Sequence, residues 1–197
     1  MSTIPPEKIV LGLGGTVDYE IVLVSTVMNK VIADYKITDV EISNSVHILT
    51  ERDLVLNLLA FMKAGSGGER FVSESQFIES FAHRFDIKIT LGGTCVRAAM
   101  AMDVFGIAST LHLVSISDDV RRLLPKSSKY ICSSDVDTFD PHLIVQFAEG
   151  MRIESGDVSF ISPAPNRIIF TNDPPNRDLV ITLFPYTTLF RSRKSVV

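Results

Sequence analysis

Residues 86–106, Asp-Ile-Lys-Ile-Thr-Leu-Gly92-Gly93-Thr94-Cys95-Val-Arg-Ala-Ala-Met-Ala-Met-Asp-Val-Phe-Gly106, decide how this chain is read. The β-branched, apolar first part predicts a strand over 86–94 that ends in a glycine pair. The Ala- and Met-rich part after it predicts a helix over 95–106. A strand that passes through two glycines directly into a helix presents backbone N–H groups with no side chain in front of them, a geometry suited to hydroxyl or phosphate oxygens. A tight, closely packed strand-to-helix turn explains the same residues equally well. No Gly-Lys-Ser/Thr follows, so this is not a Walker A loop, and the GxGxxG dinucleotide fingerprint is absent.

The same punctuation recurs on either side. Residues 8–13 read as a short buried strand stopping at Gly12-Leu13-Gly14-Gly15, and 19–24 as a second strand. Ser25 is placed to cap a helix through residue 33. Loose alternation over 36–49 predicts short strands. Thr50-Glu51-Arg52-Asp53 has a capping hydroxyl followed by acids, and Leu54, Leu58, Phe61 and Met62 keep helical spacing up to Gly65. Ser73 or Ser75 opens a further helix. Downstream, a strand is expected at 108–114, a short helix at 118–124 and a strand at 130–132. From His142 the chain turns strand-rich: 142–148 and 166–171, joined by a Gly/Ser/Pro-rich loop, then 178–181. Strand–helix alternation followed by strands predicts an α/β fold with a sheet-like appendage.

Composition narrows the function classes. The 197 residues carry a net charge of −4 and no basic run within the body, which argues against nucleic acid as a partner. The longest apolar stretch, 21–33, is broken by Ser25, Thr26, Asn29 and Lys30, so no membrane partner is expected. Two cysteines, Cys95 and Cys132, make no disulfide framework, and a reduced, cytoplasmic setting is expected. The C-terminus is unlike the rest. Residues 182–192, TLFPYTTLFRS, read as the conceptual translation of a common sequencing adapter, so 182–197 are expected to be a non-native tail on an N-terminal fragment. Three of the 19 basic residues and none of the 23 acidic ones lie after Ile181, so the body before the tail carries −7.

Several side chains are candidates for chemistry. Asp18, just past the first strand, could accept hydrogen bonds from ligand hydroxyls at a sheet's C-terminal edge; a turn acid would look the same. Gly65-Ser66-Gly67-Gly68-Glu69-Arg70 reads as a flexible loop after a helix C-cap. Cys95 at a helix start could have a lowered pKa, although no nearby base supports a nucleophile. His47, His83, His112 and His142 lack metal spacing, and His83 and His112 are expected at the surface or at strand ends. Asp118-Asp119 before Arg121-Arg122 reads as a solvated helix. Asp135, Asp137 and Asp140 fit a polar turn better than a cation site.

Taken in order, GLGGTVD (12–18), AGSGGERF (64–71), ITLGGTCVRAAMAMDVFG (89–106), HLIVQFAEG (142–150) and NRIIFTND (166–173) resemble the ADP-dependent sugar kinases, the glucokinase/phosphofructokinase branch of the ribokinase-like superfamily. The resemblance implies a ribokinase-like α/β sandwich, here incomplete, with a strand-rich lid subdomain that closes over the sugar. It assigns residues 1–181 to the N-terminal part of such an enzyme, with the lid mainly at about 142–181 and 19–49 as a further segment. By motif, Asp18 resembles the early sugar-binding acid, Gly92 and Gly93 the pair that meets sugar hydroxyls, Glu69 a glucose-associated loop acid, and His142 the histidine that opens the lid strand.

The implied partner is a hexose or hexose phosphate, and the implied cofactors of the intact enzyme are ADP and Mg²⁺. The family's catalytic Asp lies in a Gly-x-Gly-Asp motif, which occurs nowhere in residues 1–197, so no catalytic residue and no metal ligand is assigned. The fragment alone is expected to bind neither cofactor and to be inactive. Gly14, Thr16, Thr94–Arg97 and Gln146 depart from the family's usual residues. They leave an ATP-dependent ribokinase-type kinase, or a non-catalytic sugar-binding homologue, as alternatives.

Overall fold

Fifteen elements follow one another in the computed structural model, which describes residues 9–113, 116–132, 137 and 140–172. The chain enters β1 (Val10–Gly14), turns at Gly15 and runs through β2 (Thr16–Val22) into α1 (Ser25–Asp34). A single 3₁₀ turn at Asp39–Glu41 precedes α2 (Glu51–Ala64), β3 (Gly68–Phe71), α3 (Ser75–Ala82) and β4 (Lys88–Gly92). Next come α4 (Thr94–Val104), β5 (Thr110–Leu113), α5 (Asp118–Leu123) and β6 (Lys129–Cys132). The strands β7 (His142–Phe147), β8 (Arg152–Ser155), β9 (Val158–Ile161) and β10 (Asn166–Thr171) follow. The expected strand at 178–181, the tail at 182–197 and Asp135 lie outside the described residues.

The described chain divides into two compact units, one built from 9–17 and 91–137, the other from 18–90 and 140–172. In the first unit, β1, β5 and β6 form a parallel sheet in that order, with Val10 opposite Thr110 and Thr110 opposite Lys129. Parallel strands need a crossover, and α4 and α5 supply it. The buried side chains Leu111, Leu113, Val96, Ala99 and Val120 make the core of this unit. His112 is 8 % exposed, mid-strand in β5 rather than at a surface or strand end as expected. Arg121 bonds Asp118 and grips Asp137 through two hydrogen bonds of 2.7 and 2.6 Å, and Arg122 pairs with Asp119. The helix has the acids-first pattern that the sequence suggested.

The second unit is a five-stranded mixed sheet in the order β3-β10-β7-β2-β4. β7 runs parallel to β2 and antiparallel to β10, and β10 runs parallel to β3. One face is apolar at every second residue: Ile21 of β2, Leu143, Val145 and Phe147 of β7, and Ile168 and Phe170 of β10. Helices α2 and α3 cover this face with Leu54, Leu58, Met62, Ile78 and Phe81, each fully buried. Phe61 of α2 lies so close to Gly68 that a Cβ there would stand 3.1 Å from its ring.

Four local expectations are corrected. Residues 36–49 form a 3₁₀ turn and one isolated bridge, Ile48 to Val72, rather than strands. Thr38-Asp39-Val40-Glu41 closes a capping box, Thr38 N–H donating to Glu41 at 2.9 Å, and such local bonds outcompete strand pairing. Arg52 then pairs with Glu41 at 2.8 Å; with the Thr38 bonds it holds the Glu41 carboxyl down at about 2. Second, the Gly/Ser/Pro-rich loop after β7 contains the hairpin β8–β9, with Ile153 and Val158 buried and Glu154 N–H bonded to Asn29 of α1 at 3.0 Å. Third, Ser25 is the first residue of α1 and Val24 its cap, with no side-chain cap bond. Fourth, part of the GSGGER run is strand β3, not a loop.

The start of α2 is as the sequence predicts. Thr50 Oγ1 accepts the Asp53 N–H at 3.2 Å, and Asp53 Oδ2 accepts from both Thr50 Oγ1 and the Leu49 N–H. Thr50→Ala removes this cap and is expected to lower stability by about 1 kcal/mol, with Thr50→Ser close to wild type. A urea denaturation series checks both.

Candidate functional site: the open face of the mixed sheet

Side chains alternate along a strand, so the burial of Val17, Tyr19 and Ile21 puts Asp18, Glu20 and Val22 on the opposite face, away from α2 and α3. Strand register carries this face across the sheet in rows. Asp18 stands opposite His142. The next row runs Glu20, Ile144, Ile169, Glu69, and the third Val22, Gln146, Arg167. Three of the sequence-predicted site residues, Asp18, Glu69 and His142, therefore share one surface although they come from distant parts of the chain.

The geometry differs along the rows. Asp18 is 4 % exposed, and its Oδ1 lies 3.9 Å from Nδ1 of His142. Glu20 accepts a 2.6 Å hydrogen bond from Thr90 Oγ1, and Lys88 Nζ is 3.9 Å from its other oxygen. Glu69 sits three strand spacings from the β2 acids, roughly 14 Å across the sheet.

At the β3 edge a depression of about 500 Å³ is lined by Gly67, Gly68, Glu69, Asn166, Arg167 and Ile169. Its two glycines are there for space. A Cβ at Gly67 would stand 2.5 Å from the Arg167 carbonyl oxygen, so β10 lies directly against this backbone. Gly65, at φ 62°, ends α2 in the left-handed conformation, the one part of the run that is the expected C-cap. Close packing rather than looseness accounts for the composition. Glu69 and Arg167 both project into the depression, and neither pairs with an opposite charge among the described residues. The participation of Glu20 and Gln146 in this face follows from the alternation of β2 and β7 once those strands are known to pair, and Thr90 joins it from β4 through its bond to Glu20.

Gly92 and Gly93 belong to the other unit by compactness. Gly92 ends β4, and Gly93, at φ 89°, is the N-cap of α4. A Cβ on Gly93 would lie 2.8 Å from the backbone nitrogen of Gly15. The strand-to-helix turn is thus as tight as the sequence implied, with the first amides of α4 free of any Gly93 side chain. Cys95, at the same helix start, is buried; burial pushes its thiol up, not down, which removes the basis for a reactive nucleophile. Asp137 is held by Arg121, and Asp140 accepts from Ser75 Oγ at 3.0 Å. Among the described residues no group of three or more His, Cys, Asp or Glu side chains could hold a metal ion, and no helix is long and apolar enough to cross a membrane.

Comparison with known proteins places these features. Residues 7–185 match the family described as "ADP-specific Phosphofructokinase/Glucokinase conserved region". No curated protein matches. Among solved structures, a hypothetical ADP-dependent phosphofructokinase from Pyrococcus horikoshii OT3 superposes with a TM-score of 0.70 at 17% identity, over 83% of this chain and 41% of that one. The last common ancestor of ADP-dependent phosphofructokinases from Methanosarcinales gives 0.67 at 15% identity, over 85% and 38%. An ADP-dependent kinase in complex with fructose-6-phosphate and ADPβS gives 0.61 at 14% identity, over 85% and 35%. The chain spans about two fifths of the length of the solved structures it matches.

Proposed function

The chain belongs to the ADP-specific phosphofructokinase/glucokinase family, and from that premise we propose that it is the sugar-facing part of an enzyme that transfers a phosphoryl group from ADP to a hexose or hexose phosphate, releasing AMP. The unit of residues 18–90 and 140–172 is read as the lid, with the sheet face opposite α2 and α3 turned to the sugar. The observation that carries this reading is the single surface shared by Asp18, His142 and Glu69. A carboxylate accepts hydrogen bonds from sugar hydroxyls, and charge-assisted bonds of this kind are the stronger ones. His142 brings its imidazole beside Asp18, and within the other unit the amides after Gly92 and Gly93 are a separate candidate for hydroxyl oxygens.

ADP and Mg²⁺ would bring the transferable phosphoryl group and its charge neutralisation. Among the described residues no group of three or more His, Cys, Asp or Glu side chains fits the metal. Turnover by the 197-residue chain alone is not expected, and sugar-dependent AMP release by it would contradict this. The reading implies a cytoplasmic protein.

Two sugars remain in play, and one residue pair separates them. Glu69 favours glucose. Arg167 in the same depression suits an anion and favours fructose 6-phosphate, which one of the structural neighbours holds. Calorimetric titration of the chain with each sugar decides between them. Glu69→Gln is expected to weaken glucose binding about tenfold, as for loss of one charged hydrogen bond. Arg167→Ala should leave glucose binding unchanged and weaken fructose 6-phosphate binding by about tenfold or more. A chain that binds neither sugar, or variants without effect on either, would sink the proposal.

A further inference from the structure

β3 is the shortest kind of edge strand: four residues, Gly68-Glu69-Arg70-Phe71, paired along its length with β10 alone. Beyond it, the only regular contact among the described residues is the bridge from Val72 to Ile48. Residues 68 and 70 face α2, and 69 and 71 face the open side. Hydrophobicity works against this arrangement, because the one large apolar side chain of the strand, Phe71, is 53% exposed while a guanidinium points inward. A slip of one residue would turn every side chain to the other face, burying Phe71 and turning Glu69 away from the depression. Gly68 has no side chain to resist such a slip.

The close fit of Gly67 against β10 blocks a slip that would bring Ser66 into its place; in the other direction Arg70 is the strand's anchored side chain. It stands opposite the buried Phe170, and its Nη2 donates to the Val46 carbonyl at 3.2 Å. Asn57 of α2, fully buried, donates to the same carbonyl at 3.1 Å and to the Asp53 carbonyl at 2.9 Å. Strand, connecting segment and helix thus meet at one oxygen. The joint is costly: among the described residues Arg70 Nε and Asn57 Oδ1 are buried without a partner, and Arg70 pairs with no carboxylate. An apolar side chain beside Ile168, Phe170 and Phe61 would serve stability better.

We propose that Arg70 is a positioning residue that fixes the register of β3 and so keeps Glu69 on the sugar face. The proposal rests on the assignment of Glu69 to that face. Its test is a double-mutant cycle in the 197-residue chain with Glu69→Gln, Arg70→Ala and both together. Each chain is titrated with glucose and with fructose 6-phosphate and followed by amide hydrogen exchange. Arg70→Ala is expected to accelerate exchange at residues 68–72 and to weaken sugar binding about tenfold, and the double variant to bind no worse than either single one. Arg70→Lys, which keeps charge and stem, should recover part of both and serves if the alanine variant does not fold. Additive losses, or unchanged exchange at 68–72 in both Arg70 variants, would overturn the role of Arg70. Altered exchange with a silent Glu69→Gln would instead overturn the sugar-face reading, and this inference with it.

Discussion

Gly93→Ala is expected to be among the most damaging substitutions in the chain. At φ 89° an alanine is strained by about 1–3 kcal/mol, and a Cβ 2.8 Å from the Gly15 nitrogen adds an overpacking cost of similar size. The neighbour is backbone, which cannot rotate aside. A total near 3–5 kcal/mol would take a large part of the stability of an ordinary domain. Gly106→Ala is the control: it shares a positive φ, 71°, yet a Cβ there meets nothing within 4 Å. It should cost only about 1 kcal/mol. Denaturation midpoints of the two variants separate backbone strain from close approach. Equal midpoints would show that the turn relaxes, and would weaken the case for Gly93 as a site where a ligand reaches main-chain amides.

Phe170→Ala and Ile169→Ala, neighbours on β10, should behave as if they came from different proteins. Phe170 is fully buried under the helices, and removing its ring is expected to cost about 3–5 kcal/mol. Ile169 faces the open side and lines the depression, so its truncation should cost below about 1 kcal/mol. Urea unfolding of both chains measures the contrast directly. A large loss at Ile169 would mean that something covers this face, and the sugar would need another place.

Caps and turns were legible because their signals are local. The Thr50 cap and the glycine turn before α4 are read directly from the sequence, whereas β2 starts at Thr16 rather than 19 and takes Asp18 into the strand, out of the expected turn. Motif resemblance then put Asp18, Glu69, Gly92, Gly93 and His142 in one proposed site. What stayed hidden depends on distant partners. Gly67 and Gly68 read as a loop because their reason, the backbone of β10 and the ring of Phe61, lies elsewhere in the chain. The β8–β9 hairpin hid inside a Gly/Ser/Pro-rich stretch because four-residue strands give too short a pattern. At 36–49 a β-like composition lost to the Thr38–Glu41 capping box. Cys95 was judged from its place at a helix start, whereas its thiol answers to burial.

The register of the mixed sheet also sets a timetable. Asp18 pairs with His142 and Gly68 with Ile168, contacts that span half the chain, whereas β8 and β9 meet within a few residues. Loop closure must come before these long-range pairs contribute anything, so the surface holding Asp18 and Glu69 should be among the last features to form and the hairpin among the first. On a ribosome, β2 would emerge early and wait, edge exposed, until β7 and β10 were synthesised. The acids proposed to face the sugar are thus assembled by the end of folding rather than by its nucleus.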